Sequence, residues 1–195
     1  MSKPTVTDAG RAKRLKAATQ AAHDSLDKAI MRREPFRDRG RYALFVVAQY
    51  QFHRDLDALY DDPVLAALVP DLKARRRLDK IALDLDDLGM ARPAVDSIPV
   101  PAGDLPTALG WLYVAEGSNL GAALLLKEAT MLGLSENFGA RHLAGPVEGR
   151  GLLWRTFTAA LDAVPLTSEQ EARVVTGAQA AFARVRALVE TSFGA

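Results

Sequence analysis

His23 is one of three histidines in the chain, with His53 and His142, and lies in the alanine-lined run Lys16-Ala-Ala-Thr-Gln-Ala-Ala-His23-Asp-Ser-Leu-Asp27. An imidazole can ligate a metal, and a carboxylate behind the ring is the usual device that sets its orientation. On a helix, Asp27 is placed for that role four residues on, and Lys16, seven residues earlier, puts a cation on the same face. The alternative is an amphipathic helix with a partly buried structural histidine. A second pattern is a glycine stripe. Gly110, Gly117 and Gly121 share one face of a helical-looking run from Leu105 to Leu132. Each interior glycine weakens a helix by about 1 kcal/mol relative to alanine. What it offers is bare backbone that a flat object can approach. That object is either a planar ligand or another helix, and spacing alone leaves both open.

These residues sit in longer motifs. Leu109-Gly-Trp-Leu-Tyr-Val-Ala-Glu-Gly-Ser-Asn-Leu-Gly-Ala-Ala123, followed by Phe138-Gly-Ala-Arg-His-Leu-Ala144, resembles the bacterial biliverdin-producing heme oxygenases. His23-Asp-Ser-Leu-Asp27, Glu34-Pro-Phe36 and Gln49-Tyr-Gln-Phe-His53 are similar to the iron-acquisition branch of Gram-negative bacteria. The resemblance runs from about Leu15 to Phe193. It implies an all-α, single-domain fold over 1–195 (1–9 a flexible end), with heme between a proximal helix and a kinked, Gly-rich distal helix.

By the same resemblance His23 is the axial ligand of the heme iron. An imidazole ligand gives less electronic push toward O–O cleavage than a thiolate would. Lys16, Asp27 and Tyr113 are the other heme-binding candidates, Tyr113 through a propionate or a water; the alternative for Tyr113 is a core tyrosine with a satisfied hydroxyl. Gly117, Ser118 and Gly121 form the distal wall. Ser118 offers a hydroxyl to bound O2, or else bonds back to the preceding turn. Gln49, His53, Arg77 and Asn119 are the candidates for a proton relay through ordered water. Gln49 and His53 share a helix face, while Arg77 belongs to Arg75-Arg-Arg77, a run that solvent alone would explain. His142 is expected to be structural or exposed, and Trp111 and Trp154 to be core.

The implied activity is O2- and electron-dependent cleavage of heme at a meso carbon to biliverdin, CO and free iron, for heme-iron utilisation. The alternatives are a heme storage or transport protein, a heme oxygenase supplying phytochrome chromophore, and a helical module without ligand. No flavin or nicotinamide motif is present, so an external reductant is expected, such as a ferredoxin or an NAD(P)H-dependent reductase.

Composition agrees with one globular domain: 195 residues, 49% hydrophobic and 25% charged. There is no cysteine, which excludes disulfides and thiolate ligation by this chain. No apolar run is long enough for a membrane span, and the first residues lack a secretory core; a cytoplasmic protein is expected. Net charge is +1, so nucleic acid is not an expected partner. Residues 1–41 nevertheless carry eleven Lys/Arg against five Asp/Glu. Such a field attracts heme propionates or an acidic electron donor, although a solvated basic face has the same composition.

The elements that position these groups read as helices almost throughout. Thr7 or Asp8 caps a first helix to about Arg33, ended by Glu34-Pro35. Asp38 caps a second, to about Tyr60. Asp62-Pro63 opens a short helix to Leu68, and Asp71 opens another that stops at Gly89. Residues 90–103 read as an extended connection. A Gly-rich helix pair fills Asp104 to Leu132, followed by an irregular stretch to Gly151 with one short helix near Glu136–Leu143. Leu152–Ala163 is helical, and Thr167-Ser-Glu-Gln170 is a capping box opening a last helix to about Phe193.

Overall fold

The computed structural model describes residues 10–94, 100 and 103–194, which form an all-α fold. The helices are α1 (Arg11–Arg32), α2 (Arg39–Asp55), α3 (Pro63–Leu68), α4 (Leu78–Asp87), α5 (Leu105–Met131), α6 (Arg150–Ala163) and α7 (Ser168–Ser192). Short 3-10 turns occupy Asp57–Asp61, Leu72–Arg75 and Arg141–Leu143. Among the described residues β structure is limited to isolated bridges from Ser135 to Phe138 and Gly139. None of these helices is long and apolar enough to cross a membrane.

Local chemistry accounts for most boundaries. The Asp38 carboxylate accepts from the Arg41 N–H at 2.8 Å and starts α2. Asp62 accepts from Val64 and Leu65 at 2.8 and 3.0 Å, with Pro63 as the first helical residue of α3. At α7 both halves of the Thr167–Gln170 capping box are made, at 2.9 and 3.2 Å.

Several expected boundaries move, each for a tertiary reason. The expected caps Thr7 and Asp8 and the end at 1–9 lie outside the described residues; α1 starts from Gly10. Its Ala12 N–H is capped by Asp162 of α6 at 2.9 Å, a partner far away in sequence. Helix α2 stops at Asp55, before Tyr60, where the chain tightens into the 3-10 turn. The helix expected from Asp71 to Gly89 is two pieces, because Asp71 adopts a left-handed φ of 54° and Arg76-Arg77 separates the 3-10 turn from α4. The expected helix pair at 104–132 is instead one continuous α-helix of 27 residues.

Helix α5 is the central element. From Ala108 to Glu116 every residue is buried, against α7 and the α2–α3 region, with Leu109, Leu112, Phe52, Phe157 and Leu161 at the middle of the core. After Glu116 the helix emerges: Ser118, Leu120, Gly121, Ala123 and Leu124 are exposed. A second core cluster, built on Tyr42, Phe45, Ile81 and Leu85, supports its far end through Ala122 and Ala129.

The glycine stripe divides between the two readings. A Cβ at Gly110 would lie 2.3 Å from Val174 O and 2.6 Å from Ala178 N, and one at Gly177 would lie 2.7 Å from Thr107 O. Gly110 therefore serves helix packing, where the backbones of α5 and α7 interlock. A Cβ at Gly117 would meet only the Trp154 ring, at 3.7 Å, and one at Gly121 would meet nothing within 4 Å. Gly110→Ala is expected to destabilise the fold by about 1–3 kcal/mol or more, since backbone cannot yield as a side chain can. Thermal unfolding checks this; an unchanged midpoint would mean that the two helices do not interlock there.

Candidate functional site

Helix α1 presents His23 on an exposed face with Lys16, Ala17, Ala18 and Ala21. The His23 side chain is 55% exposed, and its Nδ1 lies 3.2 Å from Asp27 Oδ2. A ring nitrogen held in this way leaves Nε2 as the free ligating atom. The ring also stands edge-on to Phe182 of α7, with centroids 5.8 Å apart. Tyr113, one turn before Gly117, is buried against Trp154 at 5.6 Å between centroids. Burial pushes its phenol up, and a hydrogen bond with Thr19, one turn before His23, works in the opposite direction. Tyr113 thus joins α5 to α1 next to both candidate motifs.

Ser118 takes the back-bonded alternative: its Oγ donates to Ala115 O at 2.7 Å. Asn119 is buried, and its carbonyl accepts from Arg150 Nη1 at 2.9 Å. Gln49 is half-buried on α2, one turn before His53.

His53, Arg77 and His142 come together from three separate elements. Arg77 turns inward rather than to solvent and donates to His142 O. Burial lowers its pKa, while the Glu116 charge raises it. His53 is buried with no partner on Nδ1; burial, then the Arg77 and His142 charges, push it down to about 3. His142 is structural and fully enclosed. Its Nδ1 lies 2.7 Å from Asp84 Oδ2, which also accepts the His142 backbone N–H at 2.9 Å, and its Nε2 has no partner. Burial lowers the His142 pKa, and the Asp84 contact only partly offsets this. Burial opposes the Asp84 carboxylate, but His142 and two backbone N–H groups hold it below its usual range.

Both imidazoles are therefore neutral in the folded chain at pH 7. In the unfolded chain they protonate near 6.5. Below that value the unfolded state binds more protons, so stability is lost as pH falls from about 6.5 toward the folded value of about 3. Each neutral imidazole contributes a limiting slope of about 1.4 kcal/mol per pH unit. Denaturant unfolding between pH 7 and pH 4 should show this loss, and His53→Gln should flatten it by about one proton. The same slope in both proteins would mean that His53 is not held neutral.

A family profile described as heme oxygenase matches residues 9–191. The chain belongs to the heme oxygenase family. It is 45% identical over 192 residues to heme oxygenase PigA of Pseudomonas aeruginosa, covering 94% of this chain and 93% of that protein. It superposes on the NO- and CO-bound heme oxygenase of Neisseria meningitidis with a TM-score of 0.90 at 44% identity, covering 95% and 92% of the two chains. The heme oxygenase of Leptospira interrogans shares the fold, with a TM-score of 0.76 at 16% identity over 94% of this chain and 100% of that one.

In this member of the heme oxygenase family, three buried polar groups at the site were not assigned from residue spacing: the Arg75–Glu116 ion pair, the Asp84 carboxylate behind His142, and Tyr60, whose hydroxyl has no partner. One signal was available. Glu116 is the lone charged residue between Leu105 and Leu126, and a single carboxylate in such a run needs a buried partner. Which arginine of Arg75-Arg-Arg77 supplies it depends on the break before α4. Arg75 goes inward to Glu116, Arg76 outward to Asp57 and Asp61, and Arg77 to His142.

Proposed function

We propose that this protein binds heme between α1 and the Gly117–Gly121 segment of α5 and oxidises it at a meso carbon to biliverdin, CO and free iron. The observation that carries the reading is a pair of uncovered groups on α1 and α5, helices that the Tyr113–Thr19 hydrogen bond joins. Bare backbone at Gly121 faces open space, and an exposed imidazole on α1 is held through Nδ1 by a carboxylate. The residues present fit the group. Exposed alanines on α1 and exposed Leu120 and Leu124 on α5 offer apolar surface for a flat ring, and His23 offers a ring-nitrogen donor. When bound, heme supplies both the iron that takes up O2 and the porphyrin that is oxidised.

The chain's own residues supply position and protons. His23 Nε2 would hold the heme iron, with Asp27 fixing the tautomer of the ring. Gly117 and Gly121 would let a flat ring approach bare backbone and themselves bring no side-chain acid or base to it. The Ser118 proton is committed to Ala115 O, so Ser118 acts as small backbone rather than as a donor to O2. His53 stays neutral at working pH, so with Gln49, Asn119 and Arg77 it orders water and passes protons along hydrogen bonds. Lys16 is placed to meet a propionate. Electrons come from an external reductant, such as a ferredoxin or an NAD(P)H-dependent reductase, and the basic stretch at 1–41 suits an acidic donor. The motif wording around Ala115–Gly121 supports a role in heme-iron utilisation inside the cell.

The test is an absorbance record of the protein with one equivalent of hemin, before and after ascorbate in air with catalase present. A Soret band that decays into the broad red absorbance of biliverdin is the expected result. A stable Soret band would mean that heme is carried rather than cleaved. No Soret shift would remove heme from the reading altogether.

A further inference from the structure

The distal glycines leave a question that their own contacts do not answer. A Cβ at Gly117 would meet only the Trp154 ring and one at Gly121 nothing within 4 Å, so no tertiary packing against these two positions sets how high this stretch of α5 stands over its ligand. The interlock at Gly110 and Gly177 holds the helix two turns earlier. The last firm anchor before the glycines is Glu116. Its Oε2 lies 2.7 Å from Arg75 Nη1, with the two side chains 3% and 1% exposed.

Arg75 is itself pinned on several sides. Its Nε donates to Pro70 O at 3.0 Å, Nη1 donates also to Leu153 O at 3.3 Å, and its Cζ lies 5.9 Å from the centre of the Phe157 ring. Leu153 and Phe157 flank Trp154, the side chain that reaches Gly117, so one guanidinium positions both Glu116 and the wall behind Gly117. A second arginine grips the middle of the segment. Arg150 Nη1 donates to Asn119 O at 2.9 Å, and its Nη2 donates to Leu143 O.

A buried ion pair is a poor way to gain stability, because desolvation offsets most of the attraction; its best-attested use is to fix a registry. We infer that Glu116, held by Arg75 and seconded by Arg150, is a positioning residue that sets the height and tilt of Gly117–Gly121 and thereby determines which meso carbon of the bound ring is attacked. The inference rests on the heme reading above. With bare backbone at Gly117 and Gly121, a shift of the helix passes directly to the ring, and a displacement of about 1 Å is enough to change reactivity at a given position about 100-fold.

The test compares the wild type with Arg75→Met/Glu116→Leu, which removes both charges at similar volume, and with Arg150→Met. Two readouts are taken: the ratio of biliverdin isomers, and the heme-methyl proton shifts of the cyanide-ligated ferric protein, which report ring orientation without turnover. A severalfold change in isomer ratio with displaced methyl shifts, while hemin binding and the axial-ligand spectrum persist, is expected for both variants. A purely structural pair would lower the melting temperature and leave isomers and shifts in place, and that result overturns the inference. Should the double variant fail to fold, Arg150→Met decides alone by the same criterion. If the wild type itself fails to bind or convert hemin, the heme reading falls first and this inference falls with it.

Discussion

Replacing His23 with alanine is expected to abolish both the axial-ligand signature of bound heme and its conversion to biliverdin, while leaving the fold intact. The separation follows from position. The His23 side chain is 55% exposed, and its contacts are Asp27 and the edge of Phe182. Loss of such contacts costs about 1 kcal/mol at most, so the thermal midpoint should barely move. The ligand bond has no substitute, because the two other histidines are buried. Added imidazole should restore part of the spectrum by entering the space left by the ring. Asp27→Asn gives the graded version: the ligand stays but its orienting carboxylate is lost, and heme affinity or turnover should fall roughly 10- to 100-fold. An unchanged spectrum in His23→Ala would transfer the ligand role to another residue.

Gly121→Leu is expected to do the reverse of Gly110→Ala. The space at Gly121 is open, so the side chain enters without a clash. Removing an interior helical glycine should hold or raise stability by up to about 1 kcal/mol. The same side chain then stands where the ring must lie. Overpacking costs about 1–3 kcal/mol, which corresponds to hemin binding weaker by roughly 5- to 150-fold. At Gly110 a single methyl meets backbone of α7, so the fold suffers there while the site, two turns on, is spared. Measuring the melting temperature and hemin affinity of both variants separates the two uses of glycine on one helix. Normal hemin affinity and biliverdin production in Gly121→Leu would mean that the ring does not approach this backbone.

The legible part of the site is the part carried by local order. The capping box at Thr167–Gln170 and the Asp62-Pro63 start of α3 were readable because each is completed within a few residues of sequence. The facing of His23 and Asp27 was readable for the same reason, since it follows from helical periodicity. The Arg75-Arg-Arg77 run was not: three identical side chains take three directions, and the direction depends on where a 3-10 turn ends and α4 begins. Gly110 and Gly121 were equally indistinct. They share one stripe, yet α7 covers the first and not the second.

The sequence by itself determined the helical class, the caps at Asp38, Asp62 and Thr167 and the facing of His23 and Asp27, because helix periodicity and caps act over a few residues. The tertiary structure alone decided which buried charges meet, Glu116 with Arg75 and His142 with Asp84, which imidazoles stay neutral, and which glycines remain uncovered. Those outcomes depend on desolvation and on contacts between elements dozens of residues apart. A buried charge takes whichever partner the packing of several helices brings within hydrogen-bond reach, and no local pattern specifies that partner.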